Sequence, residues 1–430
     1  MREGLTILFM PESAYGPTNN CIGIGKVLER RGHRVVFAAE ASWRGRLEPL
    51  GFEEDLVDLA PPPEDGAEQD AGQFWTDFVT QTAPEFRKPT IEQLETFIEP
   101  VFRSLDDGAR YCEPRLKDIL ERARPDVVVE DNVSVFPALL TYGAPWVRIM
   151  SCNPLEMKEP ALPPTFSGYA AGERAEWDAY RAEYERVHRP LWDQTNEWVV
   201  EQGAPPLPDM EFIHESPDLN LYVYPELADY ARSRPLGPTW YRLDSSVRET
   251  EEAFDVPPSL ATRDGALVYL SLGSLGSADV DLMRRLIDVL SRTPHRFIVS
   301  MGPRADELEL ADNMWGEVRV PQTSIIPVVD LVITHGGNNT TTEAFHFGKP
   351  MIVLPVFWDQ YDNAQRVDEL GFGIRLGSYA FDDAEIRDAI ERLLGDTALR
   401  ERMAKEGQEI RRRDGKTRAA DLIESLGRAG

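Results

Sequence analysis

The residues best equipped for chemistry stand close together: His335-Gly336-Gly337-Asn338-Asn339-Thr340-Thr341-Thr342-Glu343, followed by Asp359-Gln360. Ahead of them, Leu331-Val332-Ile333-Thr334 is a short β-branched apolar run, and Asn339 to Phe347 has helix-compatible spacing. A strand, a glycine turn and a helix start leave unpaired backbone N–H groups at the positive end of a helix dipole, which suits a diphosphate. Asn339 and Thr340 would add side-chain donors there, and His335 would donate to a phosphate oxygen. Glu343, one turn further in, offers a carboxylate to both hydroxyls of a ribose, and Asp359 and Gln360 follow the next buried run, Met351 to Leu354, near a sugar. The ligand matching this order of groups is a nucleotide-sugar. Taken singly, His-Gly-Gly is an ordinary glycine turn, and Asp359-Gln360 a helix-start cap.

The array resembles the donor-binding signature of the family 1 UDP-dependent glycosyltransferases: a Pro-Gln pair, then His-x-Gly-x-Asn-Ser/Thr-x-x-Glu, then Asp/Glu-Gln. Pro321-Gln322 precedes His335 at the matching distance, and Val268-Tyr269-Leu270-Ser271-Leu272-Gly273-Ser274 is similar to the family's strand and Gly-Ser turn. The resemblance implies a donor site holding Gly273, Gln322 and Gly337. Within it, Ser274, His335, Asn339 and Thr340 would meet the diphosphate, Glu343 the ribose, and Asp359 with Gln360 the sugar hydroxyls. It further implies an inverting, direct displacement without a metal. No cofactor is expected beyond the donor co-substrate, UDP-glucose being the first choice. The family's stacking aromatic falls on Arg319, whose guanidinium can stack but changes hydrogen-bond preferences, so a dTDP-sugar stands beside UDP.

An alcohol needs a base to take its proton, and the resembled family places a His after the first strand, oriented by an Asp after a later one. Aligned on Arg31-Gly32-His33-Arg34-Val35, that Gly-His pair falls on Gly16-Pro17; Asp131 stands at the partner position. Proline has nothing to ionise. Three explanations follow. Asp131, Glu130 or Glu12 serves as base, with Tyr15, Pro17, Thr18 and Asn19 forming the acceptor loop; or the nucleophile is a tertiary amine that needs none; or the chain is a non-catalytic, nucleotide-binding partner of another transferase. A sugar-nucleotide epimerase of the same architecture is a further alternative. The expected acceptor is a small hydrophobic phenol, macrolide, terpenoid or amine.

These groups must be positioned by two α/β units. In the first half, strands at Thr6 to Met10 and Arg34 to Ala39 flank a helix from about Asn20 to Arg31, and strands at Val127 to Val129 and Trp146 to Met150 follow. A helical stretch from Ala171 to Glu201 carries Trp177, Tyr180, Tyr184, His188, Trp192 and Trp198, which line an acceptor pocket or, better matching their spacing, pack one helix face on a core. The second half repeats the alternation, with strands at Leu267 to Leu270, Arg296 to Ser300, Val318 to Val320, Leu331 to Thr334, Met351 to Leu354 and Phe372 to Arg375. Two doubly wound parallel sheets facing across a cleft, the GT-B fold, match the resembled family. The divisions expected are 1–243 for acceptor binding, 244–263 as linker, 264–410 for the nucleotide-sugar, and 411–430 as a helix crossing back. The acidic, proline-rich 61–70 reads as a solvated connector rather than a lid.

The 430 residues are 42% hydrophobic, enough for two cores. A net charge of −28 argues against nucleic acid or anionic lipid as partner and leaves the anionic donor to local N–H groups. Cys21, Cys112 and Cys152 lack disulfide or zinc spacing. With no basic leader and no apolar run long enough for a bilayer, the expected location is the cytoplasm, without a membrane.

Overall fold

The computed structural model describes residues 4–61, 77, 80–249 and 252–428, so the reading of 62–70 as a connector lies outside the described residues. Two parallel sheets dominate. The first contains β1 (Thr6–Pro11), β2 (Arg34–Phe37), β3 (Glu53–Glu54), β4 (Val127–Asp131), β5 (Trp146–Met150), β6 (Leu219–Val223) and β7 (Trp240–Leu243), in spatial order β3-β2-β1-β4-β5-β6-β7. The second contains β8 (Leu267–Ser271), β9 (Arg296–Ser300), β10 (Met314–Glu317), β11 (Leu331–Thr334), β12 (Met351–Val353) and β13 (Gly373–Arg375), in order β10-β9-β8-β11-β12-β13. Both are doubly wound. Each therefore opens a crevice where the strand order reverses, beyond the carboxyl ends of β1 and β4 and of β8 and β11.

The central strands are mostly apolar and buried on both faces because helices cover both sides, which removes the in-out alternation of a one-sided sheet. The helices that frame the crevices are α1 (Tyr15–Arg30), α2 (Glu99–Ala123), α3 (Trp177–Glu201), α4 (Val280–Ser291), α5 (Asn338–Phe347), α6 (Gln360–Glu369), α7 (Asp383–Gly395), α8 (Thr397–Arg413) and α9 (Gly415–Gly427). α9 packs on α1, burying Ala419, Ala420 and Ile423 with residues of β1 and β2. There Glu424 pairs with Arg31 and with His33, whose other ring nitrogen accepts from Leu5 N, so His33 is structural. α6 docks the second half onto the first: Asp362 accepts from Phe166 N and Gly168 N at 2.6 and 2.8 Å, and Arg366 Nε donates to Ala228 O at 2.7 Å.

Three expected elements fall elsewhere. α1 begins at Tyr15 rather than Asn20, with Pro17 in its first turn, where a missing N–H costs no intrahelical bond. Residues 171–176 are turns and coil, and α3 starts at Trp177. No strand forms at Val318–Val320; the edge strand is Met314–Glu317. Gly316 conceals it from a propensity reading, yet glycine is required, since a Cβ there would lie 2.4 Å from Val299 O of β9.

Candidate functional site

A cavity of 760 Å³ runs between the two sheets at their carboxyl ends and is lined from both. On the second-sheet side, Gly273, with φ +73°, follows β8 and His335 follows β11 directly. The imidazole lies between two glycine backbones: a Cβ on Gly273 would stand 2.6 Å from its Cε1, and one on Gly337 2.4 Å from its Nε2. Loss of solvent around the ring pulls its pKa down to about 4, against an opposing hydrogen bond with the Ser271 backbone, so it is a neutral N–H donor. Behind it α5 points its N-terminus at the same space, with Gly337, Asn338, Asn339 and Thr340 all lining the cavity. Ser274 and Arg319 line it as well.

Gln322 ties this wall together. Its Nε2 donates to Glu343 Oε2 at 2.6 Å and to Thr340 Oγ1 at 3.3 Å, while its Oε1 accepts from Tyr269 Oη at 2.9 Å. Glu343 stands one turn into α5, but it is buried behind the lining, with Oε1 accepting from Arg248 Nη1 at 2.9 Å. Arg248, from the segment joining the sheets, itself lines the cavity. Asp359 and Gln360 also line it. The side chain of Asp359 makes no cap bond to α6; its Oδ2 accepts from Asn153 N at 2.9 Å, and burial pushes its pKa up to about 7. Gln360 Oε1 accepts from Val356 N and Phe357 N, holding the turn after β12.

On the opposite wall, Glu12, Tyr15, Pro17, Asn19 and Asp131 line the cavity. Asp131 Oδ2 accepts from Ser151 Oγ at 2.6 Å; burial pushes its pKa up to about 7, assisted by the neighbouring charge of Glu12. Glu12 is itself raised by burial, with Ser13 Oγ and Ala14 N donating to it. On this wall two expected residues do not reach the cavity. Glu130 precedes Asp131 in β4 and points to the other face, where it accepts from Trp146 Nε1 at 2.9 Å and is absent from the lining. Thr18 turns inward from α1 and donates to Glu12 O.

The aromatic residues of α3 do not line the cavity. Tyr180 and Tyr184 join the core, and His188 stacks on Tyr184 with its pKa lowered to about 4 by burial, so it is a core histidine. The apolar wall is instead Phe97, just before α2, with Val101 and Leu105 in its first two turns and Val133, Phe357 and Trp358. Trp358 has φ +59°, a conformation that a bulky residue holds only under constraint, and its ring lies 4.5 Å from Phe166 and 5.2 Å from Phe102. Tyr15 is gripped from both sides, its hydroxyl accepting from Arg46 and its ring carrying the Arg319 guanidinium at 4.6 Å. Ser151, Asn153, Arg248 and Trp358 were not identifiable from motifs. Only Ser151, which follows β5 directly, had a signal: it stands at the carboxyl end of a parallel strand.

Two doubly wound parallel sheets meeting over a cleft with this glycine-and-helix cradle define the GT-B class of glycosyltransferases. Residues 284–423 match the family model "Erythromycin biosynthesis protein CIII-like, C-terminal domain". The NDP-glycosyltransferase YjiC of Bacillus subtilis (strain 168) is 30% identical over 434 residues, spanning 96% of this chain and 95% of its own. The solved glycotransferase of kitacinnamycin superposes with a TM-score of 0.68 at 22% identity, over 99% of this chain and 100% of its own. Glycosyltransferase VinC, solved in complex with dTDP, gives 0.65 at 17% identity, over 99% and 100%. The chain belongs to the family 1 glycosyltransferases of the bacterial natural-product type. Among the described residues no helix is long and apolar enough to cross a membrane.

Proposed function

We propose that this glycosyltransferase moves a hexose, glucose being the first candidate, from a UDP- or dTDP-sugar to a hydroxyl of a small hydrophobic acceptor, with inversion and with Asp131 as base. The observation that carries this reading is the position of Asp131: it faces the cavity from the end of β4, opposite the His335 cradle, with a pKa near 7. A base poised near the working pH combines availability with strength. Asp131 takes the acceptor proton, the acceptor oxygen forms its bond to the anomeric carbon from one face, and the bond to the diphosphate oxygen breaks on the other. The departing anion meets the neutral His335 N–H, the free N–H groups of α5, and the Ser274 and Asn339 side chains, donors already oriented for developing charge without a metal. Ribose hydroxyls would take over the Glu343 contact now held by Arg248.

The apolar wall of Phe97, Val101, Leu105 and Trp358 favours a phenol, macrolide or terpenoid acceptor over a donor-processing epimerase, which would need no such wall. Both nucleotides are kept: the Arg319 guanidinium lies over the Tyr15 ring at the cavity, and VinC was solved with dTDP. The test is mass-spectrometric product detection with UDP-glucose and dTDP-glucose against matched phenols, macrolides and tertiary amines. O-glucosides are expected. Products on tertiary amines alone would remove Asp131 as base, and interconversion of the donor sugar without acceptor would establish the epimerase.

A further inference from the structure

Between the two walls lies one polar side chain that touches both and lines neither. Asn20, in the second turn of α1, is 3% exposed. Its Nδ2 donates to Ser151 Oγ at 2.8 Å and to Asn339 Oδ1 at 2.8 Å. Ser151 Oγ in turn donates to Asp131 Oδ2, and Asn339 Nδ2 donates to Gly16 O at 3.0 Å. Resting on the transferase reading above, we propose that Asn20 is a positioning residue that sets the donor-binding amide of Asn339 and the base Asp131 together, so that acceptor activation is tied to the seating of the donor wall.

The argument is an inventory of donors and acceptors. An amide NH₂ has two hydrogens, and Asn20 gives one to each wall. A serine hydroxyl has a single hydrogen; once its oxygen accepts from Asn20, that hydrogen is committed to Asp131, whose carboxylate is thereby held in one orientation. On the other side, Asn339 must present oxygen to Asn20 and nitrogen to Gly16 O, because the flipped amide would set N–H₂ against N–H₂ and oxygen against oxygen. One Asn339 hydrogen is then spent on Gly16, and the other is left for the cavity that Asn339 lines, where a diphosphate oxygen would accept it. Ser246 Oγ also donates to Asn20 O at 3.0 Å, so the chain leading into the second half is fastened at the same point.

The test separates this bridge from ordinary packing. UDP and dTDP affinity is measured by calorimetry and kcat by product formation for wild type, Asn20→Leu, Ser151→Ala, Asn339→Ala and the Ser151→Ala/Asn339→Ala pair. Asn20→Leu keeps the shape and loses both donors; it is expected to weaken nucleotide binding by roughly tenfold and kcat by roughly tenfold. Ser151→Ala is expected to lower kcat while leaving nucleotide affinity within about twofold, a split that a loss of folding would not produce. Among the described residues no hydrogen bond joins Ser151 to Asn339 directly, so their effects on kcat should be independent unless Asn20 couples them. A double variant whose loss departs from the product of the single losses by more than about threefold supports the bridge. Strictly multiplicative losses overturn it even if Asn20→Leu does not fold, and a folded Asn20→Leu with wild-type affinity and kcat overturns it directly. A wild-type chain that binds neither nucleotide overturns the transferase reading and this inference with it; a wild type that works beside an inert Asn20 overturns the inference alone.

Discussion

The two walls of the cleft meet opposite electrostatic demands with opposite means. In the proposed reaction the second-sheet wall receives an anion in a chain of net charge −28, with glycine turns, a helix N-terminus and a histidine whose pKa is lowered to about 4. In the same proposal the first-sheet wall accepts a proton, and there the cavity is faced by Asp131 and Glu12, both raised by burial. Desolvation acts on both walls, but it lowers the imidazole and raises the carboxylate, because in each case the charged form loses hydration. One physical cause thus prepares a donor on one side and a base on the other. The difference teaches that the site is made by what each backbone end presents to the same dry cleft.

The comparison breaks most visibly if the proposed base is removed. Asp131→Asn keeps an oxygen for Ser151 but cannot take a proton, and kcat toward hydroxyl acceptors is expected to fall by roughly 10²–10⁴-fold with nucleotide affinity unchanged. The same variant should lose the acid limb of the wild-type profile. With a base near 7, kcat/KM falls as pH drops below that value and levels off above it, and steady-state rates across pH 5 to 9 check both statements.

The opposite wall is broken through its backbone. In Gly337→Ala the new Cβ meets the His335 ring, and the neighbouring contact at Gly273 leaves it no retreat. Nucleoside diphosphate affinity by calorimetry should weaken by more than about tenfold, while acceptor binding is spared. Trp358→Ala sharpens the comparison from the other direction, since Trp358 belongs to the second half yet faces the apolar wall. A rise of roughly tenfold in acceptor KM with donor affinity retained would show that acceptor selection is shared by both halves.

The donor wall was legible in the sequence because strand, turn and helix run through consecutive residues, and the chemistry of each position is local. The acceptor wall was legible at Asp131 and along the run after β1, at Glu12, Tyr15, Pro17 and Asn19. Its other members come from separate elements: Phe97 and Leu105 flank the start of α2 and Ser151 follows β5, while Asn20, behind the lining, bonds across 131 and 319 positions to its two partners. No local pattern encodes such separations. Tyr15 to Asn19 read as a loop because the resembled family carries its His in one after the first strand, yet here they form the first helical turns, which tolerate glycine, proline and asparagine. The aromatic residues of α3 suggested a pocket by type, and their spacing correctly indicated packing.

Glu130 offers the smallest kinetic effect and the cleanest contrast. It is next to Asp131, equally removed from water and raised to about 8, so composition and acidity do not distinguish the two. In a strand buried on both faces the sequence has no alternation to say which carboxylate looks into the cleft. The hydrogen bond to Trp146 Nε1 settles the direction, and Glu130→Gln should leave kcat and both affinities within about twofold. Its effect belongs to stability. Between the ordinary 4.5 and about 8, the folded chain retains a proton on Glu130 that the unfolded chain releases, so folding stability declines as pH rises through that window and the loss is complete above it. Glutamine keeps an acceptor for Trp146 and removes the titration. Melting temperatures of Glu130→Gln and wild type should therefore coincide near pH 4.5, diverge in favour of the variant up to pH 8, and run parallel beyond. A variant that melts like wild type at every pH, or that loses turnover, would mean that the face of the strand has been misassigned.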